Sequence, residues 1–165
     1  MKAERAWQLN MLYDSIRTKS IDAFLSGGIP DDFLNHPEVD TRMAVALVIR
    51  PPKAVRQHIR NALDKLANDF PELYCYPAGD LHITVLDILR GRPGLEKPSP
   101  ALLTQYKSCM EGAVSRLEPF FVQLNGLVFS DGAIMVKGFD DGGLEALRAA
   151  LRPALQAAGL PLEER

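Results

Sequence analysis

The chain is short of cysteine, histidine, aromatic residues and long apolar runs. Cys75 and Cys109 are its two cysteines. They lie too far apart for a paired metal-ligand spacing and are too few for a disulfide framework. Free buried thiols in a reducing compartment are the simplest expectation. No run of about 18 apolar residues offers a membrane span. Met1-Lys2-Ala3-Glu4-Arg5 opens on charge and lacks the apolar centre of a signal peptide, so a cytoplasmic location and no membrane partner are expected. Neither sign of charge dominates: 19 Lys and Arg stand against 21 Asp and Glu, for a net charge of -2. That excludes the basic stripe that long duplex nucleic acid requires. A short RNA end, a nucleotide or another small phosphate ester needs only a local positive pocket. Asp31-Asp32 has no histidine or further carboxylate at ligand spacing, and Asp140-Asp141 reads as a turn and helix cap, so no metal is expected. Gly142-Gly143 lacks the frame and Lys-Ser/Thr of a phosphate loop. No cofactor is implied.

What is present suits an ordinary soluble domain: 47% of the residues are hydrophobic and 24% charged. Residues 2–25 carry Trp7, Met11, Leu12, Ile16, Ile21, Phe24 and Leu25 on roughly one stripe, which predicts a helix packed through that face. Residues 31–41 form a polar connector, so 1–42 reads as an extension docked on a main domain, 43–165. Residues 43–49 are continuously apolar and predict a central strand buried on both faces. A helix over 53–70, strands over 73–76 and 81–89, and a mobile Pro- and Gly-rich loop over 91–100 follow. Then come a helix over 101–117, a hairpin of 120–128 with 133–139 around Asp131-Gly132, and a helix over 144–158 ended by Gly159 and Pro161. The fold class is α+β, with a largely antiparallel sheet and helices packed outside it.

Pro77-Ala78-Gly79-Asp80-Leu81-His82-Ile83-Thr84-Val85-Leu86 stands out. On a strand, residues i and i+2 share a face. His82 and Thr84 then stand side by side, with Leu81, Ile83 and Val85 turned to a core. A bare His-x-Thr is weak. Its weight comes from the apolar strand, the Pro-x-x-Asp-Leu lead-in and the strand-helix-strand unit before it. A histidine on an apolar strand is costly unless it is hydrogen-bonded or used.

At these residues the chain resembles the 2H phosphoesterase superfamily, which includes bacterial RNA 2',3'-cyclic phosphodiesterases once called 2'-5' RNA ligases. Residues 77–85 match its first motif, with Asp80 at the usual Asn. Residues 43–49, 53–70, 121–127, 133–138 and 144–165 resemble its flanking elements, so the likeness covers about 43–165. The resemblance implies a two-lobed fold with two facing His-x-Thr/Ser motifs. The second motif is absent here. His36 is followed by Pro37-Glu38 and His58 by Ile59-Arg60, and neither supplies it. A longer parent protein truncated before that motif is expected, since the family pattern runs unbroken to Arg165. A homodimer through the sheet edge left exposed is a further expectation.

The resemblance implies metal-independent hydrolysis of a 2',3'-cyclic phosphate, at an RNA end or in a small cyclic nucleotide. One imidazole acts as general base and the other as general acid. The hydroxyls hold the non-bridging oxygens. His82 and Thr84 would supply one half, so turnover by these residues alone is expected to be impaired. Lys137 is either a phosphate ligand or an exposed lysine at a strand end. Tyr74 and Tyr76 either stack on a base or pack on a half-buried strand. Arg90 and Arg92 either close over an anion or belong to a solvated loop. The competing reading is a non-catalytic domain that binds a nucleotide or a protein.

Overall fold

The computed structural model describes residues 3–27, 37–71 and 73–163. Asp31, Asp32 and His36 lie outside the described residues. The elements run α1 (Ala3–Leu25), a 3-10 turn (Pro37–Val39), β1 (Arg42–Ile49), α2 (Lys53–Asp69), β2 (Ile83–Pro93), α3 (Pro100–Val114), β3 (Val122–Phe129), β4 (Ile134–Asp140) and α4 (Gly143–Ala157). β1 pairs with β2 and β3 with β4, both antiparallel. The fold is α+β. The chain divides into two units, one from 1–39 with 99–159 and the other from 40–98 with 160–165. Among the described residues no helix is long and apolar enough to cross a membrane.

In the first unit, α1 lies on the β3–β4 hairpin. Its docking face differs from the expected stripe. Trp7 is 64% exposed, and Met11, Leu12 and Leu25 are exposed as well. Of that stripe Phe24 does reach the hairpin, and the other contacts are made by Arg5 and Tyr13, which lie outside it. Tyr13 sits two residues after Met11, about 200° around the helix. Its hydroxyl donates to the Gly138 carbonyl at 2.7 Å and accepts from the Gly138 amide at 2.8 Å, while its ring meets Phe139 edge-on at 5.6 Å. Phe24 stacks on Phe129 at 4.2 Å. The hairpin presents backbone polar groups, and a tyrosine satisfies them where an apolar stripe cannot.

The hairpin closes at Ser130, whose amide donates to the Ala133 carbonyl at 2.8 Å. Across from Lys137, β3 carries a bulge at Asn125-Gly126, with Gly126 at φ 77°. Asp140 ends β4, and its Oδ2 accepts the amides of Gly142 at 3.0 Å and Leu144 at 2.8 Å. That carboxylate satisfies two of the donors orphaned at the start of α4. Leu147, Leu151 and Leu155, spaced four apart, form the buried stripe of α4. α4 packs on α3, which brings the buried Tyr106. Ser99 caps α3 by accepting the Leu102 amide, with Pro100 in the first turn.

In the second unit the 8 residues of β1 face the 11 of β2. The excess is absorbed by bulges. Val48 pairs with Thr84 and Leu47 with Leu86, so Val85 is extra. Ile88 is extra in the same way, between the pairs Ala46–Asp87 and Val45–Leu89. Each bulge resets the alternation of faces. That is why Val85 and its neighbour Leu86 are both buried, with Ile88 completing the core of this sheet.

Three expectations change. β1 is not buried on both faces: in the two-stranded sheet β2 is its one paired neighbour, and its residues range from half-buried to exposed. Residues 73–76, expected as a strand, form none. The predicted loop from 91 instead continues β2 through Pro93, which pairs with Arg42. Segment 160–163 then runs against β2, where the Glu163 amide donates to the Ile88 carbonyl at 2.9 Å.

Candidate functional site

The corner that carries His82 is built by arginines. Arg50 follows β1, and Arg56 and Arg60 stand four apart on one face of α2. Arg56 donates from Nε to the Pro51 carbonyl and from Nη1 to the Ala78 carbonyl, both at 3.0 Å. Arg60 donates to the Cys75 carbonyl at 3.3 Å and the Tyr76 carbonyl at 3.2 Å. Its Nε also meets Asp64 at 2.7 Å. Arg50 donates to the Gly79 carbonyl. Three guanidiniums therefore hold the carbonyls of segment 75–79, and the turn closes with the Asp80 amide donating to Pro77 at 2.9 Å.

His82 follows at once, exposed, one residue ahead of β2. Its Nδ1 lies 2.6 Å from the Asp80 backbone carbonyl. A carbonyl oxygen only accepts, so Nδ1 carries the proton. Nε2 is then the ring atom left for proton transfer. Thr84 lies two residues on, exposed, opposite Val48. Burial alternates from Leu81 to Thr84 as a strand face requires, with the histidine and threonine on the open side. Chemically, the corner offers an oriented imidazole, a hydroxyl and guanidinium charge. Among the described residues no group of three or more His, Cys, Asp or Glu is placed to hold a metal ion.

Tyr76 belongs to the same unit and is 49% exposed. Tyr74 is 50% exposed, and the two rings meet edge-to-face at 5.0 Å. Neither packs in the core, because the strand that would have half-buried them does not form. Arg90 lies on β2 and is tied to Glu163. Its amide donates to Glu163 Oε2 at 3.1 Å and its Nε to the Glu163 carbonyl at 3.0 Å. Arg92 grips the same carboxylate through both terminal nitrogens, at 2.6 and 3.1 Å. That bidentate bond, followed by the Arg90 amide, holds Glu163 below the usual carboxylate range and raises Arg92 in return. The arginines clasp segment 160–163 where an open loop was expected.

Lys137 belongs to the first unit. It is half-buried, with its Cε 3.0 Å from where a Gly126 side chain would begin and its ammonium 5.9 Å from the Tyr13 and Phe139 ring centres. The aromatic faces and the bulge account for its position. Cys75 and Cys109 are free, half-buried thiols. Arg50, Arg56 and Arg60 were not singled out from the sequence, although the i, i+4 spacing of the last two beside Pro51-Pro52 marks a face aimed at one neighbour.

Comparison with family models, with curated proteins and with solved structures returned no match.

Proposed function

We propose that the His82 corner handles a phosphoester, with a 2',3'-cyclic phosphate at an RNA end or in a small cyclic nucleotide as substrate, by chemistry of the 2H phosphoesterase kind. The observation that carries the reading is the Nδ1 contact to the Asp80 carbonyl. It engages Nδ1 and leaves Nε2 as the ring nitrogen available for proton transfer, as a proton-transferring imidazole needs. Thr84 supports it as a hydroxyl able to donate to a non-bridging oxygen. Arg50 adds positive charge beside the turn.

The reaction needs a base for water and an acid for the leaving oxygen. Of the sequence's three histidines, His36 lies outside the described residues and His58 is exposed on α2. One imidazole at this corner gives half of that pair. The open setting of His82 also favours a second reading, a nucleotide-binding domain without turnover. Hydrolysis of a nucleoside 2',3'-cyclic phosphate by the wild type and by His82→Ala decides between them. Slow turnover that disappears in the variant is the enzymatic outcome. Binding with no turnover in either protein is the second reading. Turnover untouched by the substitution refutes the assignment of His82.

A further inference from the structure

Resting on the phosphoester reading, we propose that Tyr74 and Tyr76 form a base-stacking platform, and that the ligand of the His82 corner is the end of an RNA strand, gripped beyond its terminal nucleotide. Both rings are about half exposed and meet edge-to-face at 5.0 Å. Such a pair in a segment without regular structure would ordinarily be loosely held. Here Arg60 fixes the carbonyls of Cys75 and Tyr76. The rings are therefore presented by a pre-organised backbone, which lowers the ordering cost of binding.

Spacing points the same way. Arg56 and Arg60 stand four residues apart on α2, about 6 Å along its axis. The first grips Ala78, next to the turn that leads to His82, and the second grips Tyr76. The backbone of Tyr76 is thus held about one helical turn of α2 away from the point where Ala78 is held. A mononucleotide at His82 would leave the tyrosines unused. A strand running back from its terminal phosphate would reach them.

Charge fits as well. Among the described residues Arg50 and Arg56 form no ion pair with a carboxylate, since they bond only to neutral carbonyls. They hold the carbonyls of Gly79 and Ala78, which lie between Tyr76 and His82 along the chain, so their charge is available to a backbone phosphate. Arg60 is neutralised by Asp64 and serves the scaffold. Aromatic rings beside positive charge are the usual means of holding single strands with little sequence preference.

The test is calorimetric titration of the chain with two synthetic probes: an RNA tetranucleotide ending in a 2',3'-cyclic phosphate, and the matching mononucleoside 2',3'-cyclic phosphate. The tetranucleotide is expected to bind about 5- to 150-fold tighter, the range for one stacked base. Tyr74→Ala and Tyr76→Ala should remove that advantage without altering mononucleotide affinity, and Tyr76→Phe should keep it. Equal affinity for the two probes overturns the platform and leaves the phosphoester reading standing. So does an alanine variant that weakens both probes alike, since the tyrosines would then only shape the loop. Failure of both probes to bind the wild type overturns both readings.

Discussion

Replacing Tyr13 by Phe removes one oxygen atom and two hydrogen bonds. The hydroxyl donates to the Gly138 carbonyl and accepts from its amide, at 2.7 and 2.8 Å. The ring stays against Phe139, so packing is retained. Each hydrogen bond contributes about 1 kcal/mol net in a partly buried site, which gives a loss of about 2 kcal/mol for Tyr13→Phe. In a chain of this size, about 2–4 °C per kcal/mol turns that into a fall of about 4–8 °C in Tm. Tyr13→Ala also loses the edge-on ring contact and should cost about 1–2 kcal/mol more. Urea unfolding followed by far-UV circular dichroism measures the loss. Amide hydrogen exchange localises it, because the Gly138 amide should exchange faster in Tyr13→Phe. A change below about 0.5 kcal/mol with unchanged Gly138 exchange would refute the claim that α1 docks on β4 through this hydroxyl.

Gly143→Ala should destabilise the chain by about 1–3 kcal/mol through overpacking, measured by the same urea titration. The new methyl would collide with Phe120 Cγ and Cβ, and an unchanged midpoint would contradict that crowding. The Glu163 clasp should open in acid. Arg92 depresses the folded pKa of Glu163 below its unfolded value, so the stabilisation is fully present above the unfolded value, about 4.3, and is lost as pH falls through the folded one. Asp40, lowered chiefly by the Arg42 side chain, follows the same sign. The nuclear resonances of Glu163 and of the Arg90 amide should shift together below about pH 4.3 while the Leu151 amide, in the buried stripe of α4, does not. Independent movement of Glu163 and Arg90 would contradict the clasp.

Local pattern announced several elements. The apolar spacing of Leu147, Leu151 and Leu155 marked α4, and Ser130-Asp131-Gly132 marked the hairpin turn, because each depends on neighbours close in sequence. The path of β2 was less legible. Its alternation holds from Leu81 to Val85, then breaks at bulges set by pairing with a strand some 40 residues away. The α1 stripe, of which Phe24 reaches the hairpin, missed Tyr13 for a related reason. Its docking face is chosen by the unpaired backbone of Gly138, which leaves no mark in the helix's own periodicity. At the site, His82 and Thr84 were legible as a strand pattern. The arginines beneath them were not, since a guanidinium bonding to carbonyls leaves no partner side chain to notice. Segment 73–76 was read as a strand because its residues suit one, but Arg60 takes the carbonyls of Cys75 and Tyr76.

The claim that His82 and Thr84 form one phosphate-handling site is tested most directly by nuclear magnetic resonance of the histidine side chains during titration with a nucleoside 2',3'-cyclic phosphate. His82 is expected to carry a proton on Nδ1, with saturable shifts at the His82 ring and the Thr84 amide and with His58 unmoved. Affinity is also expected to be about 10- to 150-fold weaker in Thr84→Val, the loss of one hydrogen bond to a charged oxygen. A His82 ring without a proton on Nδ1, or signals of both residues that stay fixed at saturating nucleotide, would contradict the claim.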